Sequence, residues 1–362
     1  MEWQSVPLPI THHPLPHFGI MMRVAMYYNN RDVRLQEMPK PEPGPGEILV
    51  KVLASGICGS DVLEWYRIKK APLVLGHEIS GEIVETGAGV KNCMAGQRVF
   101  VSHHIPCNTC HYCLRGHHTA CETLHTTNYD PGGFAEFIRV PKLNVDRGVF
   151  PLPAGVSHDQ GVFIEPLACV IRGQRIAGIQ PGQSILILGS GISGLLHLLV
   201  ARALGAGRII MSDVSGFRLE AARRFGADAV LHASEDIPAH VREINGGRLA
   251  EAVIVCTGAL SAFLQALQSV DRGGKILCFA TPEPGIALPV PVNDFWRNEI
   301  TLLPSYGNSP LDATIAIDLL RSGRVAVEEM ITHRFGLAET GLGFRLMAEA
   351  GESLKIVIEP QR

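Results

Sequence analysis

The chain has 362 residues, more than a single hydrophobic core normally contains, so we expect two domains. Apolar residues make up 46% of the chain and charged residues 19%, a balance that excludes a disordered protein. The formal net charge is −3, from 32 basic and 35 acidic residues. Because this leaves no positive surplus to bind nucleic acid or an anionic membrane, we expect neither as a partner.

The N-terminal segment, Met1–Ile20, carries prolines and histidines but neither a basic start nor an apolar stretch. It is not typical of a secretory signal, so the cytoplasm is the expected location, and residues 1–21 are interpreted as an N-terminal extension. The nine cysteines agree with this location, because four of them lie within fifteen residues and the others are scattered. That distribution indicates metal binding and not disulfides.

From Met22 onward, short alternating β-branched runs are separated by Pro-Gly pairs such as Pro43-Gly44 and Pro45-Gly46. This pattern is typical of short strands joined by turns. We therefore predict a β-rich first domain over residues 22–165.

Beyond about Gly161 the pattern changes to apolar runs of strand length, separated by segments of helical periodicity. The runs are Ser184–Leu188, Arg208–Met211, Ala252–Val255, Lys275–Phe279 and Ile300–Leu303. This alternation predicts an α/β domain with a parallel sheet over residues 166–307, and residues 308–362 are predicted to return to the first domain. The segment Gln183–Ala201 is uncharged over the length of a membrane span, but a glycine motif explains it better.

That motif is Gly189-Ser190-Gly191-Ile192-Ser193-Gly194, placed between a predicted strand and a predicted helix. In a dinucleotide-binding turn, the first glycine permits the tight turn, the second lets the backbone approach the pyrophosphate, and the third allows close helix packing. The helix N-terminus supplies amide donors for the phosphates. The alternative is an ordinary glycine turn of an α/β sheet.

Asp213 ends the next predicted strand, nineteen residues after Gly194. Its carboxylate can accept hydrogen bonds from a ribose 2′-hydroxyl and would repel a 2′-phosphate, so NAD is favoured over NADP. Arg218 follows five residues later and could lie over the adenine or accommodate a phosphate. Cys256 and Thr257, after another predicted strand, complete the expected cofactor-binding residues.

Four cysteines, Cys107, Cys110, Cys113 and Cys121, form one compact group in the sequence. Four thiolates close a tetrahedral zinc shell without leaving a position for water, which predicts a structural zinc site. An iron–sulfur cluster is the competing interpretation, but the fourth cysteine is too distant and lacks the following proline. Free thiols are a further alternative, and the nearby histidines are interpreted as solvated surface.

A second set of candidate ligands is dispersed: Cys58, His77 with Glu78, and Glu165 in the segment Glu165-Pro166-Leu167. No short spacing connects them. Taken singly, each has a structural explanation, as a buried small side chain, a core histidine or a helix-start carboxylate.

Taken with the glycine turn and the four-cysteine loop, and in the same order, these segments resemble the zinc-dependent medium-chain dehydrogenase/reductase family from about Met22 to the C-terminus. The Glu-Pro-Leu segment is most similar to the sorbitol and threonine dehydrogenase branch. The resemblance implies a GroES-like β-barrel domain joined to a Rossmann domain, with the active site between them. It also implies a catalytic zinc held by Cys58, His77 and Glu165, with Glu78 as an alternate ligand or outer carboxylate and Cys169 as a weaker candidate.

The implied reaction is hydride transfer between a secondary alcohol or its ketone and NAD, with two zinc ions per chain and a homodimer or homotetramer as the expected assembly. Ser60 would accept the alcohol proton and pass it toward the nicotinamide ribose or water, and the alternative is an ordinary surface serine. Sorbitol and threonine dehydrogenases typically carry a histidine five residues after the zinc cysteine, where this chain has Leu63, and His103 or His104 could replace it. Trp65 and Tyr66 could line the pocket or pack between the two domains. A zinc-free reductase and a non-catalytic NAD or thiol redox sensor are the alternatives, and the dispersed ligands argue against both.

Overall fold

The structure is a computed structural model, and it describes residues 19–362. In chain order the strands are β1 (Met21–Asn29), β2 (Asp32–Pro39), β3 (Ile48–Gly56), β4 (Leu73–Val74), β5 (Glu78–Thr86), β6 (Arg98–Val101), β7 (Phe137–Val140), β8 (Val149–Pro151), β9 (Ile185–Leu188), β10 (Ile209–Asp213), β11 (Ala229–His232), β12 (Ala250–Val255), β13 (Val270–Cys278), β14 (Thr301–Pro304), β15 (Ile331–Gly336) and β16 (Lys355–Glu359). The α-helices are α1 (Glu64–Arg67), α2 (Glu122–Thr126), α3 (Lys142–Gly148), α4 (His158–Gly161), α5 (Ile164–Ala177), α6 (Ile192–Ala203), α7 (Gly216–Arg224), α8 (Ile237–Ile244), α9 (Leu260–Ser269), α10 (Val292–Asn298), α11 (Pro310–Arg321) and α12 (Thr340–Ala348).

Two mostly antiparallel sheets form the β-rich part of the molecule. One has the order β2-β1-β4, and the other has the order β15-β16-β3-β5-β6-β8, with β7 also paired to β3. The last two strands of the chain therefore lie in the same sheet as β3, through the pairing of Val357 with Gly56. The exact domain boundaries, at residues 22–165, 166–307 and 308–362, stay predictions.

The second part is a six-stranded sheet with the order β11-β10-β9-β12-β13-β14, and its pairs are all parallel. This confirms the predicted parallel sheet. The strand order reverses between β9 and β12, and in open α/β sheets ligands bind in the crevice at the carboxyl ends of the strands at such a point. The predicted glycine turn follows β9 directly and therefore lies at this crevice.

One strand of this sheet, β11, was not among the predicted apolar runs. It is a four-residue edge strand that pairs only with β10, and of its residues only Leu231 is buried. An edge strand with one neighbour and one buried side chain needs no continuous apolar run, so its sequence carries little signal.

The central strands are apolar because helices cover the sheet on both sides. All four residues of β9 are buried, with Ile185 and Ile187 facing one apolar cluster and Leu186 and Leu188 facing the other. The first cluster also contains Phe100 and Ala54 from the β-rich part. The two parts of the molecule thus share a continuous core.

Helix α5 connects the two parts and packs against α11, α6, β5 and β13. Its capped neighbour α4 is fixed by Ser157, whose hydroxyl accepts a hydrogen bond from the Gln160 amide. Because α5 begins beside β5, its first turn brings Glu165 to the junction of the two parts.

In residues 19–362, no helix has both the length and the apolar character that crossing a membrane requires. The uncharged segment Gln183–Ala201 is instead strand β9, the glycine turn and most of α6. Residues 1–18 of the predicted N-terminal extension, which spans residues 1–21, lie outside the residues that the structure describes.

Candidate active site and metal centres

The four predicted zinc-binding cysteines lie together in one loop, and their sulfur atoms are all within 4.8 Å of one another. The Sγ atoms of Cys107 and Cys113 are 3.9 Å apart. A tetrahedral zinc with bonds of about 2.3 Å to sulfur separates its sulfur ligands by about 3.8 Å, so the donor set fits this metal.

Backbone amides support the same site. The amides of Thr109 and Cys110 donate hydrogen bonds to Cys107 Sγ, at 3.4 and 3.2 Å. These donors lower the pKa of the Cys107 thiol to about 5. A thiol that is ionised at neutral pH is ready to bind a metal without first losing a proton.

The second metal site is assembled by strand pairing. Gly56 at the end of β3 pairs with Glu78 at the start of β5, and this pairing brings Cys58 next to His77 and Glu78. One donor atom from each of these three residues lies within 4.8 Å of the others. Sulfur, imidazole nitrogen and carboxylate oxygen are ligands that zinc accepts, and three protein ligands leave a fourth position open.

Asp61 positions His77. It is fully buried in the turn after Cys58, and its Oδ1 lies 3.3 Å from His77 Nδ1. Burial raises the pKa of Asp61, but His77, Arg67 and the Cys58 amide together outweigh burial and lower this pKa overall. A carboxylate on one ring nitrogen fixes the orientation of a metal-binding histidine and leaves Nε2 for the metal.

Glu78 has a second partner that the sequence did not indicate. Lys355, from the C-terminal strand β16, forms a buried ion pair with Glu78, and the two side chains are 0% and 1% exposed. Lys355 Nζ also donates to the carbonyl of Ile57 at 3.4 Å. A Cβ atom at Gly56 would overlap both members of the pair, so a larger residue there would displace the Glu78 and Lys355 side chains.

Glu165 lies close by but is not one of the three grouped donors. Its Oε1 accepts hydrogen bonds from Asn308 Nδ2 at 3.1 Å and from the Cys169 thiol at 3.4 Å. Burial raises the pKa of Glu165, and the positive charge of His77 works against that increase. Glu165 as the third zinc ligand, and Cys169 as a candidate ligand, stay predictions. Asn308 was missed because an asparagine near the end of the α/β domain carries no motif.

Ser60 lies beside the predicted metal ligand. Its hydroxyl donates to Cys58 Sγ at 3.4 Å, and Arg67 Nη2 donates to the Ser60 hydroxyl oxygen at 3.2 Å. Leu63 caps the same turn. Ser60 therefore lies beside one of the predicted zinc ligands, and its role in proton transfer stays a prediction.

The two histidines named as replacements at the Leu63 position lie next to the same site. The ring of His103 is 4.9 Å from that of His77 and 3.8 Å from that of His104. Burial, followed by the charges of the neighbouring histidines, lowers the pKa of His103 well below its usual value, and burial also lowers the pKa of His104 to about 4. Both rings are therefore neutral at pH 7. Their role in proton transfer stays a prediction.

The glycine turn has the geometry that a dinucleotide site needs. Gly189 has φ +100°, a left-handed conformation that favours glycine. A Cβ atom at Gly194 would overlap the carbonyl oxygen of Gly189, so helix α6 can approach only with glycine there. Gly191 caps α6, whose first residue is Ile192, and a Cβ atom at Gly191 would touch only the Arg218 guanidinium. The backbone at Gly191 is thus open to a ligand.

The residues around this turn fit a dinucleotide. Asp213 accepts hydrogen bonds from the Ser190 amide at 2.7 Å and the Ser215 amide at 2.9 Å. Within residues 19–362, the buried Nε of Arg218 has no hydrogen-bond partner, as expected of a side chain that binds a ligand. Cys256 and Thr257 lie next to Gly189, where a Cβ atom on the glycine would contact both residues.

Comparisons with known proteins agree with this geometry. Residues 44–154 match the family profile of the alcohol dehydrogenase GroES-like domain, and residues 193–322 match that of the zinc-binding dehydrogenases. The sorbitol dehydrogenase of Bacillus subtilis is 32% identical over 94% of this chain and 98% of its own length. The L-threonine 3-dehydrogenase of Pyrococcus horikoshii is 34% identical over 89% of this chain and 94% of its own length.

Solved structures give the same result. The alcohol dehydrogenase TADH from Thermus sp. ATN1 superposes with a TM-score of 0.84 at 29% identity, covering 93% of this chain and 99% of that one. The 2R,3R-butanediol dehydrogenase of Bacillus subtilis superposes with a TM-score of 0.82 at 26% identity, covering 94% and 99%. The chain therefore belongs to the zinc-dependent alcohol dehydrogenase family of medium-chain dehydrogenases, with a GroES-like domain and a Rossmann-like domain, and is an oxidoreductase of that family.

Proposed function

We propose that this enzyme oxidises a secondary alcohol with NAD at the junction of its two domains, and reduces the ketone in the reverse direction. The observation that carries the proposal is the grouping of the partly buried Cys58 and His77 with the buried Glu78, a zinc-type donor set of three ligands that leaves a fourth position for a substrate oxygen. When bound, zinc polarises the alcohol oxygen and the nicotinamide accepts the hydride.

The residues of the chain have separable tasks in this reaction. Asp61 holds the His77 ring in place through its 3.3 Å contact with Nδ1. The Ser60 hydroxyl would accept the alcohol proton as it passes its own proton toward the nicotinamide ribose or water, and Arg67 Nη2, which donates to the Ser60 oxygen at 3.2 Å, would hold that hydroxyl in place. The amides at the start of α6 hold the cofactor through its pyrophosphate.

For the third protein ligand we propose Glu78, with Glu165 as the alternative. Both carboxylates have other partners, Lys355 for Glu78 and Asn308 for Glu165, but Glu78 groups with Cys58 and His77 and Glu165 does not. Two substitutions distinguish the carboxylates. Elemental analysis of E78Q should find one zinc fewer per chain than in the parent protein, while E165Q should retain the metal. The opposite pattern would assign the ligand role to Glu165.

The metal count tests the enzyme assignment itself. We expect two zinc ions per chain, one held by Cys107, Cys110, Cys113 and Cys121 and one by the active-site trio. Substitution C58A should remove one zinc and lower kcat/KM by at least about 100-fold without unfolding the protein. Substitution C93A is the matched control, because Cys93 is partly buried and belongs to neither donor group. Full activity in C58A would refute the proposed catalytic site.

The substrate is proposed to be a polyol, a sugar-derived alcohol or an amino alcohol, as the names of the sorbitol and threonine dehydrogenase relatives suggest. A screen of polyols, inositols, amino sugars and threonine, followed by the absorbance of the reduced cofactor, would identify it. We propose NAD as the preferred cofactor because Asp213 stands at the ribose position of the glycine turn.

We propose a homodimer or homotetramer as the assembly. Strand β14 is an edge of the parallel sheet, and Val292 and Trp296 on the nearby helix α10 are 72% and 75% exposed. Exposed apolar side chains of this size are typical of a protein interface. Light scattering would test this, since a monomer at micromolar concentration would exclude it.

A further inference from the structure

Arg67 ends the short helix α1, which follows a tight helical turn at Gly59–Val62. The Arg67 amide donates to the carbonyl oxygen of Leu63 at 3.1 Å, so the chain folds back on itself over this segment. The Arg67 side chain reaches Ser60, seven positions earlier in the sequence. A local turn therefore places a guanidinium at the start of the segment that follows Cys58.

The Arg67 guanidinium contacts two consecutive residues of that turn. Its Nε donates to the Ser60 carbonyl oxygen at 3.0 Å, and its Nη2 donates to the Ser60 hydroxyl oxygen at 3.2 Å. The same Nη2 lies 3.4 Å from Oδ1 of Asp61. A guanidinium can make these contacts together because its donors are fixed in one plane. Arg67 therefore fixes a backbone carbonyl, a hydroxyl and a carboxylate at the same time.

Ser60 and Asp61 in turn contact two of the proposed metal ligands. The Ser60 hydroxyl donates to Cys58 Sγ at 3.4 Å. Asp61 Oδ1 lies 3.3 Å from His77 Nδ1, and Asp61 Oδ2 accepts from the Cys58 amide at 3.1 Å. Every contact on the path from Arg67 to the two ligands is therefore at most 3.4 Å long. One side chain supports both ligands through an intermediate residue.

The charge of Arg67 matters because Asp61 is buried. The Asp61 side chain is 0% exposed, and that of Arg67 is 16% exposed. A histidine that binds a metal is neutral, so His77 then offers Asp61 a hydrogen bond but no positive charge. Of the two basic side chains that contact Asp61 within residues 19–362, Arg67 is then the charged one. Because a buried carboxylate without a cation is costly, Arg67 compensates the group that orients His77.

An aromatic ring lies under the guanidinium. The Cζ atom of Arg67 is 4.7 Å from the centroid of the Tyr66 ring, a cation–π contact. Lys70 Nζ lies 5.9 Å from the same centroid, but Lys70 is exposed. In the part of the chain that the structure describes, Lys70 is not among the partners of Ser60 or Asp61. The two cations next to Tyr66 therefore differ in whether they reach the metal centre.

We infer that Arg67 is a positioning residue for the metal centre and raises its affinity for zinc. Arg67 does so by holding Ser60 and Asp61 in one arrangement, and these two residues hold the ligands. The inference rests on the proposed function, which gives Arg67 only the task of holding the Ser60 hydroxyl for proton transfer. It goes further because metal affinity does not depend on proton transfer. Loss of an outer partner of a metal ligand typically lowers metal affinity 10-fold to 100-fold.

The test measures zinc affinity in the full-length, zinc-loaded protein by competition with a chromophoric chelator. Substitution R67M removes the charge and the donors but keeps an unbranched side chain. We expect the affinity for the active-site zinc to fall about 10-fold to 100-fold. The zinc of the four-cysteine loop should keep its parental affinity, and the C58A protein, expected to hold only that ion, identifies its release step. Parental affinity for both ions in R67M would overturn the inference.

Two further variants separate the role of Arg67 from general charge and packing effects. R67K keeps the charge without the planar set of donors and should fall between the parent and R67M. If R67M does not fold, R67K decides the question, and parental zinc affinity in R67K would overturn the inference. K70M is the matched control, because it removes the other cation next to Tyr66 and should keep parental zinc affinity. An equal loss in R67M and K70M would show a general charge effect and would also overturn the inference.

A double-mutant cycle shows whether Arg67 acts through Asp61. In D61N/R67M the loss of zinc-binding free energy should be smaller than the sum of the losses in D61N and in R67M, because either substitution breaks the same path. Additive losses would overturn the inference. These measurements follow the metal and not turnover, so they are separate from the proposed function. Absence of turnover with every alcohol would refute the proposed function, and the zinc titration would still confirm or refute the role of Arg67.

Discussion

The buried ion pair between Lys355 and Glu78 makes a strong prediction about stability. In the substitution K355M, methionine fills much of the space of lysine but leaves the Glu78 carboxylate without its cation. Both side chains are at most 1% exposed, so water cannot replace the lost partner. The nearby Phe163 ring, 5.6 Å from Lys355 Nζ, offers the carboxylate no hydrogen bond.

Removing one partner of a buried ion pair destabilises a protein by about 3–5 kcal/mol, because the remaining charge is uncompensated. For a domain of this size that corresponds to a fall in unfolding temperature of about 6–20 °C. The double variant K355M/E78Q removes both charges, so it should recover at least about 1 kcal/mol relative to K355M. The recovery separates the uncompensated charge from any loss of packing.

Urea and thermal unfolding, followed by circular dichroism on protein freed of the active-site metal, would measure these differences, because a zinc ion bound to Glu78 would itself compensate the carboxylate. The control K142A removes a surface pair, Lys142–Asp146, whose side chains are 65% and 46% exposed. It should change the free energy of unfolding by less than about 0.5 kcal/mol. Two results would refute this reasoning. One is a K355M variant that loses no more free energy of unfolding than K142A. The other is a double variant whose loss equals the sum of the losses in K355M and in E78Q, because additive losses would mean that the two side chains do not interact.

Three other predictions concern the cofactor turn and the zinc loop. Substitution G194A should weaken NADH binding at least about tenfold, measured by fluorescence titration, because a Cβ atom there overlaps the carbonyl oxygen of Gly189 and separates α6 from the turn; parental affinity would contradict the assignment. Substitution D213S should lower the ratio of NAD to NADP kcat/KM about 10-fold to 100-fold, since it removes the acceptor for the ribose hydroxyl and the repulsion of a 2′-phosphate. A ratio equal to that of the parent would show that Asp213 does not select the cofactor. Substitution C113S should remove one zinc per chain by elemental analysis and lower the unfolding temperature, because three ligands no longer close the metal shell; unchanged metal content would exclude the four-cysteine site.

The features that the sequence determined by itself are local ones. The glycine turn and the four-cysteine loop each lie within fifteen residues, so their spacing alone indicates a geometry. The parallel sheet was likewise readable from its apolar runs, because strands covered on both faces must be apolar. The edge strand Ala229–His232 could not be predicted in this way, because only Leu231 in it is buried and it therefore has no apolar run.

The catalytic site depended on tertiary structure. Cys58 and Glu78 meet because β3 and β5 pair with Gly56 opposite Glu78, and a shift of that register by one residue would turn the Glu78 side chain to the opposite face of the sheet. Lys355 reaches Glu78 across 277 residues of chain, a contact that no local pattern encodes. Sequence spacing specifies contacts within a turn or a helix, whereas contacts between distant segments are decided by how the whole chain packs.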